Sequence, residues 1–282
     1  RMGLVRAQAG AVLSRRLSPA DVAVLLTRHG LAPRKAAGQN FVGDPNTVAA
    51  IIKDAGLEPT DTVLEIGPGL GSLTLGLSDA VAKVVAVEID HGLVRALADV
   101  LSEVDNVQVH QADAMQADLG ALSGGPFRCV ANLPYNVATP LVLRALEDPM
   151  AVDAYVMVQK EVGQRWAAKP GDALYAGVSV KLQLLADVRM GRSISRHVFT
   201  PMPRVDSVMV RLVKHGDLDP WVRSVIDAAF ARRRRTLRNT LQAVADVDRV
   251  EATLASLDMT NTTRPEELTP QRFVALAEAL RV

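Results

Sequence analysis

The chain contains little of what marks several classes of protein. Its 282 residues include a single cysteine, Cys129, so no disulfide can form within the chain. The five histidines lack the spacing of zinc ligands, and we expect no metal. No apolar run approaches the roughly 20 residues that a membrane-spanning helix needs, and residues 1–17 do not resemble a secretory signal. These absences predict a protein of the reducing cytoplasm, without a membrane partner or a structural metal.

Aromatic residues are also scarce, at 4%, but apolar residues reach 49% and charged residues 22%, the balance of a folded protein. The net charge of +1 hides a polarised distribution: residues 1–43 carry +6, residues 44–158 carry −11, and residues 186–240 carry +7. Basic blocks on both sides of an acidic body indicate a surface that meets a polyanion, because clustered lysine and arginine neutralise phosphates. The alternative is solvated charge without a partner.

Short apolar segments alternate with helical stretches in the first two thirds of the chain. We predict strands at residues 62–66, 84–89, 107–110 and 128–131, with further candidates at 155–159 and 208–213. This alternation predicts an α/β fold with a parallel, doubly wound sheet, whose ligands bind beyond the carboxyl ends of the strands.

Helix signals flank this region. Ser18 and Asp44 each precede a proline and cap helices that end near Gly30 and Gly56. A linker is predicted at residues 215–220. After it, one helical face is formed by Trp221, Val222, Val225, Ile226, Ala229 and Phe230. The chain therefore divides into an extension that is helical in part (1–33), an α/β domain (34–214) and a small all-helical domain (215–282).

The first predicted strand leads into a glycine-rich loop that contains Gly67 and Gly69, and the second ends with Glu88, which can accept both hydroxyls of a ribose. A dinucleotide loop offers free N–H groups to a pyrophosphate, but Pro68 has none and a serine replaces the third glycine. Glu65 suits the ammonium of a methionine moiety better than a phosphate. The loop therefore favours S-adenosylmethionine over the alternatives, a structural turn or a nicotinamide or flavin cofactor.

Asp113 directly follows the third predicted strand. At that position a carboxylate can accept the exocyclic N–H of the cofactor's adenine. The alternative is a helix cap, which is a common use of aspartate in such loops.

The residues Asn132, Leu133, Pro134 and Tyr135 follow the fourth predicted strand. An aromatic amine is a poor nucleophile, because its lone pair is delocalised into the ring. If the side-chain oxygen of Asn132 and the carbonyl of Leu133 accept its two N–H bonds, the lone pair points at a methyl donor, and catalysis is mainly orientation and electrostatics. Pro134 holds Leu133 extended, and Tyr135 offers a ring on which a base can stack. The alternative is a loop turn with a buried aromatic residue.

With these motifs the chain resembles the KsgA-type small-subunit rRNA adenine dimethyltransferases from Arg34 onward. The resemblance rests on residues 38–41, 65–71, 88, 113, 132–135 and 199–207, and on the segment from Phe230 to Asn239. It implies a Rossmann-like methyltransferase fold with a small C-terminal helical domain that binds RNA or the subunit. It also implies methyl transfer from S-adenosylmethionine, with S-adenosylhomocysteine as product, to N6 of two adjacent adenines near the 3′ end of 16S rRNA in the assembling 30S subunit. We expect a monomer.

The resemblance also implies roles for individual residues. Phe199 would close over the flipped adenine opposite Tyr135, or else pack in the core. The implied cofactor contacts are Gln39, Asn40, Val42, Gly67, Glu88, Asp113 and Asn132.

Basic residues are the candidates for RNA contact. We expect residues 232–235 to lie on a helix and point in four directions, so that two or three contact phosphate and one covers the domain interface. A purely solvated face is the alternative. The predicted RNA-binding residues are Arg34, Lys35, Arg232, Arg233, Arg234, Arg235 and Arg238.

Two other functions stay open. An Erm-type methyltransferase of large-subunit rRNA shares the cofactor loop and the Asn-x-Pro-Tyr motif, although the proline-rich segment ending at Ser207 and the run from Phe230 to Asn239 favour the small-subunit enzyme. A non-catalytic RNA-binding assembly factor could keep the fold, but every residue needed for cofactor and amine is present, which favours catalysis.

Overall fold

The computed structural model describes residues 16–33, 38–232 and 234–281. Within them the strands are β1 (Phe41–Val42), β2 (Thr62–Ile66), β3 (Lys83–Glu88), β4 (Val107–Gln111), β5 (Phe127–Asn132), β6 (Ala151–Gln159), β7 (Ala186–Ile194), β8 (Phe199–Thr200) and β9 (Ser207–Lys214).

The helices lie mainly between these strands and after the last of them. They are α1 (Pro19–Arg28), α2 (Pro45–Ala55), α3 (Ser72–Ser78), α4 (His91–Val100), α5 (Leu119–Ser123), α6 (Ala138–Glu147), α7 (Lys160–Ala167), α8 (Gly177–Leu185), α9 (Pro220–Phe230), α10 (Leu237–Thr240), α11 (Val247–Ser256) and α12 (Pro270–Leu280). No helix in this described part of the chain is both long enough and apolar enough to pass through a bilayer.

The predicted caps explain where the first two helices begin. The Ser18 hydroxyl accepts the Asp21 amide, and the Asp21 carboxylate accepts the Ser18 amide at 2.8 Å, which forms a capping box at the start of α1. Asp44 accepts two amides at the start of α2. That helix ends at Gly56, whose φ of 60° is left-handed. Both helix predictions are confirmed.

The central sheet has seven strands in the order β4-β3-β2-β5-β6-β9-β7. The five strands from β4 to β6 are parallel to their neighbours, and β9 runs antiparallel to both β6 and β7. The chain goes from β2 towards β4 on one side and then from β5 towards β6 on the other, so the strand order reverses between β2 and β5. In a doubly wound sheet a crevice forms at this point, at the carboxyl ends of the strands. The α/β fold class and the six predicted strands are confirmed.

The strand β7 was not predicted. It lies at the edge of the sheet, and most of its residues, including Arg189 and Arg192, are exposed. An edge strand does not need the apolar alternation by which strands are recognised in a sequence, and charged residues on it discourage pairing with other chains.

Hydrophobic clusters cover both faces of the sheet. Leu64 packs in one cluster and its neighbour Val63 in another, because successive side chains of a strand point to opposite faces. A further cluster joins the C-terminal helices, but it also includes Tyr175 and Val180 from before residue 215. The Tyr175 hydroxyl donates to the Leu268 carbonyl at 2.8 Å. The helical unit is therefore anchored to the α/β part, and the division at residue 215 stays a prediction.

The prediction of a helix through residues 232–235 is wrong. Helix α9 ends at Phe230, and Arg234 has a left-handed φ of 64° that no right-handed helix accommodates. The chain turns back here because Leu237 is fully buried in the helical cluster and its amide donates to the Thr263 carbonyl at 2.9 Å.

Candidate active site

A cavity of about 350 Å³ opens at the carboxyl ends of β2, β3 and β5, at the reversal of strand order. This volume is in the range of small-molecule sites. Its lining includes all nine residues predicted to contact a cofactor: Gln39, Asn40, Val42, Glu65, Gly67, Gly69, Glu88, Asp113 and Asn132.

The glycine loop after β2 has little capacity left for phosphate. The Gly67 amide donates to a carbonyl of β3 at 2.9 Å, and the Gly71 amide donates to the Pro68 carbonyl at 3.0 Å. The Gly69 amide donates to the Glu88 carboxylate at 3.2 Å. Because these three N–H groups already have partners within the protein, they cannot form the pyrophosphate cradle of a dinucleotide site.

Two buried carboxylates border the cavity. Glu88 is 5% exposed and also accepts the Asp90 amide at 2.9 Å; burial raises its pKa above the usual value. Glu65 is 1% exposed, and burial raises its pKa to about 8. Its Oε2 atom has no hydrogen-bond partner among the described residues. Glu65 is thus mainly protonated near neutral pH, and a cation placed beside it would favour its ionised form.

Asp113 lines the cavity and also stabilises a turn. Its carboxylate accepts the Met115 amide at 2.9 Å and the Gln116 side-chain amide at 3.3 Å. No helix begins at Asp113, since the next helix, α5, is capped by Asp118, so the helix-cap alternative is wrong and the carboxylate stabilises a turn at the cavity wall. Its contact with the adenine of a cofactor stays a prediction.

Two exposed apolar side chains line the cavity and were not predicted from the sequence to belong to the site. Ile89 is 67% exposed and Met115 is 40% exposed, and both line the cavity. The signal was an apolar residue directly after a strand end, where polar loop residues are usual. Such a pair offers apolar surface to a flat ring.

Asn132 ends β5 with its side-chain amide held in one orientation. Its Nδ2 donates to the Asn40 carbonyl at 2.8 Å. Since a carbonyl can only accept, this contact requires the nitrogen to face Asn40. The Oδ1 atom is buried and has no partner among the described residues. A buried acceptor without a partner is costly, so its presence beside a cavity indicates a ligand that donates to it.

The turn that follows Asn132 is pressed against two glycine segments. A Cβ atom on Gly67 would lie 3.5 Å from the ring of Pro134, and one on Gly38 would lie 2.9 Å from the Tyr135 amide. Both glycines have positive φ. Leu133 is 1% exposed, and its amide donates to the Met157 carbonyl at 3.1 Å. The four-residue motif therefore has a rigid place between the cofactor cavity and β6.

The two aromatic residues of the predicted base site differ in position. Tyr135 is partly buried, and its hydroxyl lies 2.6 Å from the Ser207 hydroxyl. Burial raises its pKa, so the ring stays a neutral phenol. Phe199 is 4% exposed, pairs with Val42 through β8 and β1, and packs in the hydrophobic core. Core packing, the alternative stated for Phe199, describes this arrangement.

Four of the predicted RNA-binding residues fall within the described part of the chain, and their surroundings differ. Arg34, Lys35 and Arg233 lie outside the described residues. Arg232, Arg234 and Arg235 are exposed in the loop after α9, and Arg238 forms an ion pair with Glu251 of α11.

In enzymes with a doubly wound sheet, the glycine loop after the first strand helps to determine which cofactor binds. In this loop all three glycine amides donate to acceptors within the protein, so they are not available to a pyrophosphate. The fold and the site therefore define a Rossmann-like methyltransferase. No group of three or more potential metal ligands occurs in the part of the chain that the structure covers.

Comparison with known proteins identifies the family within this class. The chain belongs to the ribosomal RNA adenine dimethylase family, whose model matches residues 30–281. It is 43% identical over 277 residues to the ribosomal RNA small subunit methyltransferase A of Rhodococcus opacus, with 93% of each chain covered. It is 44% identical to the protein of that name from Streptomyces griseus, covering 93% of this chain and 94% of that one.

Solved structures agree with this placement. A dimethyladenosine transferase from Plasmodium falciparum matches with a TM-score of 0.70 at 27% identity, covering 83% of this chain and 94% of that one. The 23S rRNA methyltransferase ErmE matches with a TM-score of 0.63 at 29% identity, covering 86% and 99%.

Proposed function

We propose that this protein transfers methyl groups from S-adenosylmethionine to N6 of two adjacent adenines near the 3′ end of 16S rRNA, in the assembling 30S subunit. The relatives at 42–44% identity carry the name of a small-subunit methyltransferase. The observation that supports the chemistry most directly is the buried, unpaired Oδ1 of Asn132. We further propose that the enzyme works as a monomer in the cytoplasm.

The cavity residues suit the parts of this cofactor. Glu88 would accept the ribose hydroxyls, and Asp113 the adenine amine. Glu65 would receive the methionine ammonium, which compensates the burial of its carboxylate. The wall is completed by Gln39, Asn40, Val42, Gly67 and Gly69. When bound, the cofactor supplies an electrophilic methyl group.

The chain's own residues would orient the nucleophile. The Oδ1 of Asn132 and the carbonyl of Leu133 accept the two N–H bonds of the target amine, so that its lone pair faces the cavity. Tyr135 would stack on the extruded base, and the Ser207 hydroxyl at 2.6 Å limits rotation of the phenol. No strong base is needed, because orientation precedes loss of the proton.

Mass spectrometry of rRNA after incubation with isolated ribosomal subunits tests this proposal. We expect dimethyladenine in the 30S material and none in the 50S material. Methylation of 50S material alone would instead indicate a methyltransferase of large-subunit rRNA, the alternative to which the similarity to ErmE points.

A second measurement separates an enzyme from an assembly factor. Asn132→Ala should lose most methylation activity and still bind the subunit. Asn46→Ala, the same change at an exposed position of α2, should retain both methylation activity and subunit binding. Absence of methyl transfer by the unaltered protein, with subunit binding intact, would favour the non-catalytic alternative.

A further inference from the structure

A second pocket lies beside the target site and shares no residue with the cofactor cavity. It has a volume of about 550 Å³ and is bordered by Gln159, Lys160, Arg196, Arg204 and Asp206, among others. We name it the Lys160 pocket.

Its position follows from the strand register. Ser207, which contacts the Tyr135 hydroxyl, directly follows Asp206 and pairs with Gln159 at the end of β6. Strand β6 runs parallel to β5, which ends at Asn132. The pocket therefore opens at the same edge of the sheet as the target-amine motif, one residue beyond the contact that holds the Tyr135 ring.

The walls of the pocket are tied together by hydrogen bonds. The Asp206 carbonyl accepts the Lys160 amide at 3.0 Å, and the Asp206 carboxylate accepts the Arg196 amide at 3.0 Å. The Arg196 guanidinium donates to the Arg204 carbonyl at 3.2 Å. Three cationic residues from separate segments of the chain are thus brought to one pocket on a fixed scaffold.

The two acids that line the pocket have different partners, and within the described residues only Glu161 has a charged one. Glu161 forms an ion pair with Arg165 at 2.8 Å, and Asp206 accepts the Arg196 amide. Within the described ranges, neither Lys160 nor Arg204 forms an ion pair, and both are exposed. An anion entering the pocket would therefore meet two cations that have no ion pair to break, and charge-assisted hydrogen bonds to such cations are among the stronger polar contacts.

We propose that the Lys160 pocket binds the phosphodiester of the nucleotide next to the target adenine, with Lys160 and Arg204 as its contacts. This inference rests on the proposed function, because that function places an RNA strand at Tyr135. When the target base leaves its stack, the neighbouring phosphates must pass the rim beside Tyr135, and the Lys160 pocket offers a basic surface there. A contact at this place would fix the register of the strand and so determine which adenine reaches Asn132.

The double variant Lys160→Gln/Arg204→Gln tests the proposal by the salt dependence of RNA binding. The probe is a hairpin with the 3′-terminal small-subunit sequence, bound in the presence of S-adenosylhomocysteine. Loss of two phosphate contacts should reduce the slope of log K against log salt by about 1.4, at roughly 0.7 per contact for single strands. We expect the KM for RNA to rise about 10-fold. The kcat at saturating RNA and the cofactor affinity should stay unchanged.

The matched control is Lys53→Gln/Arg95→Gln. It removes the same two charges from exposed positions of α2 and α4, outside the Lys160 pocket. If both double variants change the slope equally, the effect is net charge alone and the proposal is overturned. A fall in kcat with unchanged KM and slope would also overturn it.

Failure of the proposed function gives a different result. In that case the unaltered protein does not methylate small-subunit RNA. The comparison of slopes needs only binding and can still be made.

Discussion

The residues predicted to bind a cofactor and those predicted to bind RNA lie in two regions of this protein that are built differently. All nine predicted cofactor residues line one cavity. Of the predicted RNA-binding residues within the described ranges, Arg232, Arg234 and Arg235 lie in an exposed loop, whereas Arg238 is paired with Glu251. A site at strand ends is positioned by the backbone of the sheet. The position of a charged surface residue depends instead on how separate helices and loops pack against one another.

The two regions also differ in how strongly each group acts. Glu65 and Glu88 are buried, and burial raises the pKa of both, so each charge or hydrogen bond there is poorly screened. The loop arginines are exposed, where single contacts are weak and salt reduces them. Substitutions in the cavity should therefore have large, specific effects, and those on the surface small, cumulative ones.

The largest effect should come from Asn132→Ala. Loss of the hydrogen bond to the target amine costs about 1–3 kcal/mol in a buried site, which corresponds to roughly 5- to 150-fold in rate. Single-turnover methylation measures this loss, and calorimetry should show that cofactor affinity changes less. An unchanged single-turnover rate would contradict the role given to its Oδ1 atom.

Glu88→Ala should weaken cofactor binding by about 10- to 150-fold, because hydrogen bonds to a charged group contribute about 1.5–3 kcal/mol. Calorimetric titration with S-adenosylmethionine measures this change. The control is Glu58→Ala, which removes an exposed carboxylate from the loop between α2 and β2. Equal affinities in the two variants would remove Glu88 from the ribose site.

Without cofactor, Glu65→Gln should be more stable than the unaltered protein, by an amount that grows as pH rises. The pKa of Glu65 is about 8 in the folded protein against 4.5 as the ordinary value. Between these values the folded protein holds a proton that the unfolded chain releases, so stability falls with rising pH by at most about 1.4 kcal/mol per pH unit. The variant lacks this loss. Denaturant unfolding at pH 5 and pH 8 should show its advantage only at pH 8; a constant difference would mean that Glu65 titrates normally.

The smallest single contributions are expected at the surface. Replacing Arg232, Arg234 and Arg235 together with Gln should flatten the salt dependence of RNA binding by about 2 in slope, if all three contact phosphate. Arg238→Gln breaks an ion pair within the protein and should leave the slope unchanged. If Arg238→Gln also reduced the salt dependence of RNA binding, Arg238 would count as an RNA contact. The contrast between the two regions would then be weaker.

The extent of successful prediction follows the same division. Strand β2 was predicted at its observed bounds, because both of its faces are buried and Val63, Leu64 and Ile66 are apolar. Strand β7 was missed because its exposed, charged residues carry no such pattern. The arginine run looked helical, but burial of Leu237 forces the chain to reverse before it. Phe199 looked like a stacking residue and lies in the core.

The sequence alone determined the alternation of strands and helices, the caps of the first helices and the chemistry available after each strand. These depend on residues near one another in the chain, and the strand period and cap geometry are local properties. The tertiary structure decided which way the Asn132 amide faces, through the Asn40 carbonyl 92 residues away. It also decided that Lys160, Arg196 and Arg204 share one pocket. Such contacts join distant segments, and their geometry exists only once the sheet has brought those segments together.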